Sequence, residues 1–152
     1  MGAVTYPDER VAKFISLNFV PVQIQTSNQA MMQRFSVSWT PTLLVLDADR
    51  REHYRAVGFF NPDDLIATME TAKGRWALDT DQLPEARALF EEVISCYPDK
   101  DAAAEALFFL GVAKYKLSHD PKPLRETYDQ LTAKFPQSTW TKQADHYRLI
   151  GK

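Results

Sequence analysis

The residues able to do covalent or acid–base chemistry are few in this chain and lie far apart. There is one cysteine, Cys96, and there are three histidines, His53, His119 and His146. Disulfide exchange needs an attacking thiolate with a resolving thiol beside it, and a zinc site needs several His or Cys ligands at close spacing. These positions meet neither requirement. The sequence predicts no catalytic residue, no metal site and no cofactor, and a structural role for Cys96.

Composition and charge narrow the class of protein further. The 152 residues are 45% hydrophobic and 12% aromatic, which is enough for one domain or two small ones. The net charge is −2, and no basic block indicates a nucleic-acid partner. No apolar run is long enough to span a membrane, and the first residues do not resemble a signal peptide. We therefore expect a cytoplasmic chain whose partners include neither nucleic acid nor membrane.

The local motif with the most information is Trp39-Thr40-Pro41. It stands in the run SVSWTPTLLVLD, where a Thr-Pro-Thr step leads into four consecutive apolar residues. A short apolar run between turn signals predicts a strand buried on both faces, here residues 42–47. Residues 52–58 (EHYRAVG) follow a turn and predict the returning strand of a hairpin.

The rest of the first half alternates between helix and strand signals. Helices are predicted at 5–18, at 27–35 and from Asn61, where Asn-Pro-Asp-Asp is a strong helix start. Residues 19–25 (FVPVQIQ) alternate apolar and less apolar side chains, which predicts a strand, with Pro21 at an edge or a bulge. We expect His53 on the exposed face of the hairpin.

The second half repeats itself with an offset of 38 residues. At this offset Phe90 corresponds to Tyr128, Tyr97 to Phe135, and Pro98 to Pro136, within segments of helical spacing. Self-similarity at such a period is typical of stacked helix pairs. The alternative is an ordinary helical hairpin tail whose large residues pack as core.

Residues 102–136 resemble a tetratricopeptide repeat, through Leu110-Gly111 with Tyr115 in the first helix and Tyr128 with the closing Pro136 in the second. Residues 72–98 fit a more divergent copy, and 138–150 would form a closing helix. The resemblance implies a helical-repeat domain over 78–152, with its first helix (about 62–77) shared with the preceding domain. It also implies a concave binding face that includes Tyr115 and Tyr128.

Residues 3–77 resemble the thioredoxin fold from its first active-site helix onward. The stretches VTYPDERVAKFISLNFVPVQI, RFSVSWTPTLLVLD and HYRAVGFFNPDDLIATM carry this likeness. The implied fold class is α/β followed by all-α: a truncated thioredoxin-like domain over 1–77, lacking its first strand and redox cysteines, then tetratricopeptide-like helical hairpins. It also implies a bacterial protein.

The same resemblance implies that Pro41 is a cis proline and that Trp39, Thr40 and Pro41 form a ledge where an extended peptide docks. The simpler alternative is that Trp39 is a packing residue and that Pro41 only begins a strand. The family's Cys-x-x-Cys would precede residue 3 and is absent. The implied function is therefore a redox-inactive module for protein interaction or scaffolding.

The missing central strand leaves a gap that could be closed in three ways. The strands at 19–25 and 42–47 could pair directly, Ala3–Tyr6 could form a short strand, or a second chain could supply an edge and make a homodimer. Two other functions stay open. The chain could be a fragment of a thiol–disulfide oxidoreductase whose Cys-x-x-Cys lies upstream of Met1, or a fold relic that only oligomerises.

Overall fold

The computed structural model describes residues 1–151 as two compact units, residues 1–66 and residues 67 onward. The elements, in chain order, are α1 (Glu9–Asn18), α2 (Gln29–Arg34), β1 (Thr42–Leu46), β2 (Glu52–Val57), α3 (Pro62–Asp79), α4 (Leu83–Cys96), α5 (Asp101–Ser118), α6 (Lys122–Lys134), α7 (Thr139–Gln143) and a 3-10 helix (Asp145–Leu149). A small sheet with helices is thus followed by helices alone, which confirms the coarse order of the predicted fold class. The division between the units falls inside α3, the helix expected to be shared.

Side-chain caps fix the starts of the helices in the first unit. Asp8 accepts from the backbone N–H groups of Arg10 (2.9 Å) and Val11 (3.4 Å), so α1 begins at Glu9 rather than at Thr5. Asn28, not Ser27, caps α2. Asn61 caps α3 as predicted.

The predicted hairpin is confirmed: β1 and β2 form an antiparallel two-stranded sheet. The N–H of Gly58 donates to the carbonyl of Pro41 at 2.9 Å, which extends the ladder by one pair beyond the strands. β1 is only half-buried along its whole length, so the prediction that it is buried on both faces is wrong. The reason is that this strand has a neighbour on one side only.

The strand predicted at 19–25, and the short strand that Ala3–Tyr6 could have formed, are both absent among the described residues. Residues 19–25 form no strand, and Ala3–Tyr6 lies in a turn whose N–H groups donate to the carbonyl of Met1. The alternating pattern at 19–25 describes side chains that suit a strand. It supplies no second strand, and a single extended segment cannot satisfy its own backbone. Neither predicted pairing within the chain fills the gap beside β1.

The prediction that His53 lies on an exposed face is also wrong, because its side chain is fully buried. Val45 pairs with Tyr54, whereas Leu46 pairs with Glu52, so His53 is the extra residue of a β-bulge. A bulge interrupts the strict alternation of faces and redirects a side chain.

The second unit has matching backbone angles at positions separated by the predicted offset of 38 residues. Asp81 (φ 60°) and His119 (φ 56°), 38 positions apart, are both left-handed residues after the first helix of a pair. Tyr97 (φ −132°, ψ 50°) and Phe135 (φ −131°, ψ 53°), again 38 apart, end the second helices with the same backbone angles. Matching turns at matching positions show that the offset is structural and not only compositional.

Close helix contacts hold each pair together. A Cβ added to Gly74 of α3 would lie 2.5 Å from the ring of Phe90 in α4, and one added to Gly111 of α5 would collide with Thr127 of α6. Only glycine lets the paired helices approach this closely. The closing helix predicted over 138–150 is broken: α7 ends at Gln143 and the chain continues as the 3-10 helix.

Candidate functional site

The Trp39-Thr40-Pro41 segment projects from the sheet at the start of β1. The Thr40–Pro41 peptide bond is cis, as predicted. Trp39 is 69% exposed, which does not fit the alternative that it is a packing residue. The hydroxyl of Thr42 donates to the carbonyl of Trp39 at 2.7 Å, and the ladder bond to Gly58 holds Pro41. The three residues are therefore fixed from the strand side and open on the other.

The outer edge of β1 continues this open surface. Because the carbonyl of Pro41 bonds to Gly58, residues 43 and 45 face β2, and the backbone groups of Thr42, Leu44 and Leu46 point the other way. None of these outward backbone groups has a hydrogen-bond partner among residues 1–151. A charged side chain on an edge strand discourages pairing with another chain, and β1 (TLLVL) has none. This edge can accept an extended peptide.

The opposite edge of the hairpin is built differently. β2 carries Glu52 and Arg55, and the guanidinium of Arg55 bonds both carboxylate oxygens of Glu52 at 2.6 and 2.8 Å. The same Arg55 donates to the carbonyl of Phe35 at 2.7 Å. Charge therefore protects β2, and the exposed apolar edge of the sheet is β1.

In the second unit, Tyr115 and Tyr128 occupy different environments. Tyr115 is 40% exposed in the last turns of α5. Tyr128 is half-buried on α6, packed against a cluster that contains Leu107 and Leu131, and Arg125 lies 5.9 Å over its ring. Tyr115 is thus available at the surface, whereas most of Tyr128 contributes to the core.

A more specific surface group in this unit was not predicted from the sequence. The guanidinium of Arg75 lies 3.8 Å from the ring centre of Phe109, and its Nη1 is 3.3 Å from Glu105. Phe109 in turn contacts Trp140, with ring centres 5.2 Å apart. The Nε of Arg75 is buried without a hydrogen-bond partner among residues 1–151. The sequence could have indicated this group, because Arg75 and Glu105 lie on the first helices of successive pairs.

His53 and Asp47 form a hydrogen-bonded pair in the hairpin, and Cys96 lies in the second unit. Nε2 of His53 is 2.9 Å from the carboxylate of Asp47, and this hydrogen bond, helped by the N–H of Arg51, lowers the pKa of Asp47. The pair closes the hairpin. Cys96 is a free, exposed thiol at the end of α4. Within residues 1–151, no three His, Cys, Asp or Glu side chains are placed to hold a metal ion.

Comparisons with protein-family models, with curated proteins and with solved structures gave no match for this chain. In the part of the chain that the structure describes, no helix combines the length and the apolar character needed to cross a bilayer.

Proposed function

We propose that this chain is a redox-inactive, thioredoxin-like protein with tetratricopeptide-like helical hairpins, and that it acts as a protein-binding or scaffolding module. The main contact would be an extended peptide laid along Trp39, Thr40 and the outer edge of β1. Addition of a strand to a free sheet edge supplies affinity through backbone hydrogen bonds and specificity through alternate side chains.

One observation carries the proposal. A largely exposed tryptophan lies three residues before a strand whose outer backbone groups lack partners among residues 1–151 and whose edge has no charge. Tryptophan is the residue most enriched where binding energy is concentrated, because its ring buries a large area with little loss of side-chain entropy. An open backbone edge beside such an anchor suits a peptide better than it suits a small molecule.

The second unit supports the scaffolding part of the proposal. Its helix pairs pack around their own core, and they leave Tyr115 and the Arg75–Phe109–Trp140 group at or near the surface. Arg75 keeps a quarter of its side chain exposed, and its charged guanidinium suits a carboxylate or a backbone carbonyl of a partner. The two units would then offer two separate contacts.

The ledge is tested by selecting random linear peptides on the whole chain and titrating the selected peptides by fluorescence anisotropy. Trp39→Ala should weaken binding about thirtyfold, the effect of losing an interface hot spot of about 2 kcal/mol. Phe59→Ala is the matched control, since Phe59 is a similarly exposed aromatic (61%) that follows β2. Peptides that bind Trp39→Ala as well as the unchanged chain would contradict the ledge.

Redox inactivity has its own test. The chain has one thiol, so an insulin-reduction assay should show no rate above that of the reductant alone. Turnover that disappears in Cys96→Ser would contradict the binding-module proposal and favour an oxidoreductase.

A further inference from the structure

Residues 20–24 are a second run of unpaired backbone in the first unit. No backbone group from Val20 through Ile24 takes part in a hydrogen bond among residues 1–151. Val20 is 92% exposed, Val22 is 77% exposed and Ile24 is 39% exposed, at alternate positions of the sequence. Apolar side chains and unpaired backbone groups are therefore both exposed in this segment of the described chain.

This run and the outer edge of β1 match each other. Both are five residues long, both are rich in branched apolar side chains, and neither contains a charged residue. Two uncharged, apolar and unpaired segments can pair as strands, and neither has a charge that would attract an acidic or a basic partner. Every copy of the chain carries one of each.

Pro21 determines which side of the run can pair. Successive residues of a strand direct their backbone groups to opposite sides, and proline has no N–H to donate. Val20, Val22 and Ile24 can therefore form a complete edge, whereas the side with Pro21 and Gln23 is interrupted. A strand with one usable edge ends a sheet and does not extend it.

The exposed apolar area is sufficient for a small stable interface. Val20, Val22, Ile24 and Trp39 together expose on the order of 350 Å² in one copy, from their exposed fractions and the usual areas of such side chains. A two-way exchange would then cover about 700 Å² of apolar surface. The smallest stable interfaces bury about 1,200 Å² in total, of which slightly more than half is apolar.

We propose that residues 20–24 of one copy add as a strand to the outer edge of β1 in a second copy, and the reverse, to give a closed dimer. This inference rests on the proposed function, because it names the occupant of the same strand edge. Each copy gives one strand and accepts one, so the two-fold exchange uses all the matching segments. The interrupted side that contains Pro21 stops growth beyond the dimer.

Two proline substitutions in the same segment test the exchange. Val22→Pro removes an N–H from the pairing edge, whereas Gln23→Pro removes one from the edge already interrupted by Pro21. We expect Val22→Pro to raise the dimer dissociation constant at least about tenfold and Gln23→Pro to leave it within about threefold, measured by sedimentation equilibrium. Neither N–H is hydrogen-bonded to any of residues 1–151, so both variants should keep the helical circular dichroism spectrum.

Disulfide trapping distinguishes exchange between copies from folding back within one copy. In a Cys96→Ser background, chains with Val22→Cys are mixed with chains with Leu44→Cys and oxidised. A crosslinked pair that contains one chain of each kind supports the exchange. The exchange is overturned if the unchanged chain is a monomer. It is also overturned if a single chain with both Val22→Cys and Leu44→Cys forms the disulfide within itself.

The outcomes separate this inference from the proposed function. A chain that is monomeric and binds peptides through Trp39 keeps the proposed function and overturns the exchange. Alternatively, the chain forms a dimer that Val22→Pro dissociates, while the dissociated variant still binds no peptide. That result supports the exchange and overturns the wider peptide-binding role.

Discussion

The two units of this protein differ in how their apolar residues are used. In the first unit, the buried side chains are few: Thr5, Val11, His53, Leu65 and Ile66. Its exposed large apolar residues are Val4, Tyr6, Leu17, Val20, Val22, Ile24, Trp39, Val57 and Phe59. In the second unit, the exposed set is Tyr115, Leu117 and Leu149, and two continuous clusters occupy the interior. The second unit is stabilised by burial, and the first relies more on individual polar contacts.

The contacts of the first unit show what replaces a core. The buried hydroxyl of Thr5 donates to the carbonyl of Phe60 at 2.5 Å, and Arg10 bridges Asp8 and Asp63 at 3.0 and 2.8 Å. The ion pairs of Arg10 are exposed, and such pairs contribute at most about 1 kcal/mol each. Apolar surface left open on this scale marks a binding surface. The first unit thus exposes more of its large apolar side chains, and the second unit buries more of its own.

The largest expected effect is on the free energy of unfolding, and it is tested with one phenylalanine from each unit. Phe90 is fully buried between the helices, and Phe59 is mostly exposed. Phe90→Ala should lower the free energy of unfolding of the helical unit by about 3–5 kcal/mol, because it removes a buried ring and leaves a cavity. Phe59→Ala should change the free energy of unfolding of the first unit, in which Phe59 lies, by less than about 0.5 kcal/mol. Urea unfolding followed by far-ultraviolet circular dichroism measures both, and equal effects would remove the contrast between the units.

A smaller effect tests the close approach of α3 and α4. Gly74→Ala places a methyl group against the Phe90 ring and should cost about 1–3 kcal/mol. In a Phe90→Leu background the ring is gone, and the same change should stabilise the helix by up to about 1 kcal/mol, since alanine is the better helix former. Gly2→Ala, where no atom lies within 4 Å, is the neutral control. If Gly74→Ala has the same effect with and without Phe90→Leu, the Phe90 ring does not determine the spacing between α3 and α4.

The helical half was largely predictable because its information is local and repeated. The correspondence of Phe90 with Tyr128 and of Tyr97 with Phe135 predicted helix pairs, and the matching backbone angles confirm them. Gly111, which belongs to the motif quoted for the repeat, lies at a close helix approach against Thr127. The break of the last helix after Gln143 was not predicted, because a local pattern does not determine how a terminal helix ends.

The first half was less predictable because a strand requires a partner that the sequence does not specify. The hairpin was found, since its turn joins both strands within a few residues. The alternating pattern at 19–25 predicted a strand, and this prediction is wrong because the chain forms none there. The bulge at His53 inverted the expected exposure of one residue. The ledge was predicted as a resemblance, and its cis bond and exposed Trp39 are present in the structure.

The smallest expected effect concerns pH and belongs to the hairpin of the first unit. The His53 hydrogen bond is the main cause of the lowered pKa of Asp47, so this carboxyl should titrate below the ordinary aspartate value of about 3.9. Because the folded pKa is lower than the unfolded one, the stabilisation is complete above about pH 4 and is lost as the pH falls through the folded pKa. The titration is followed by ¹³C NMR of the side-chain carboxyl.

His53→Gln should raise the pKa of Asp47 toward its ordinary value, since the largest cause of its lowering is removed. Asp8 is the internal control, because its pKa is lowered first by the hydrogen bond from Arg10 and not by His53. An unchanged Asp47 titration would mean that the N–H of Arg51 alone holds the carboxylate. A parallel shift of Asp8 would mean that the substitution loosened the whole first unit, as expected of a unit with so small a core.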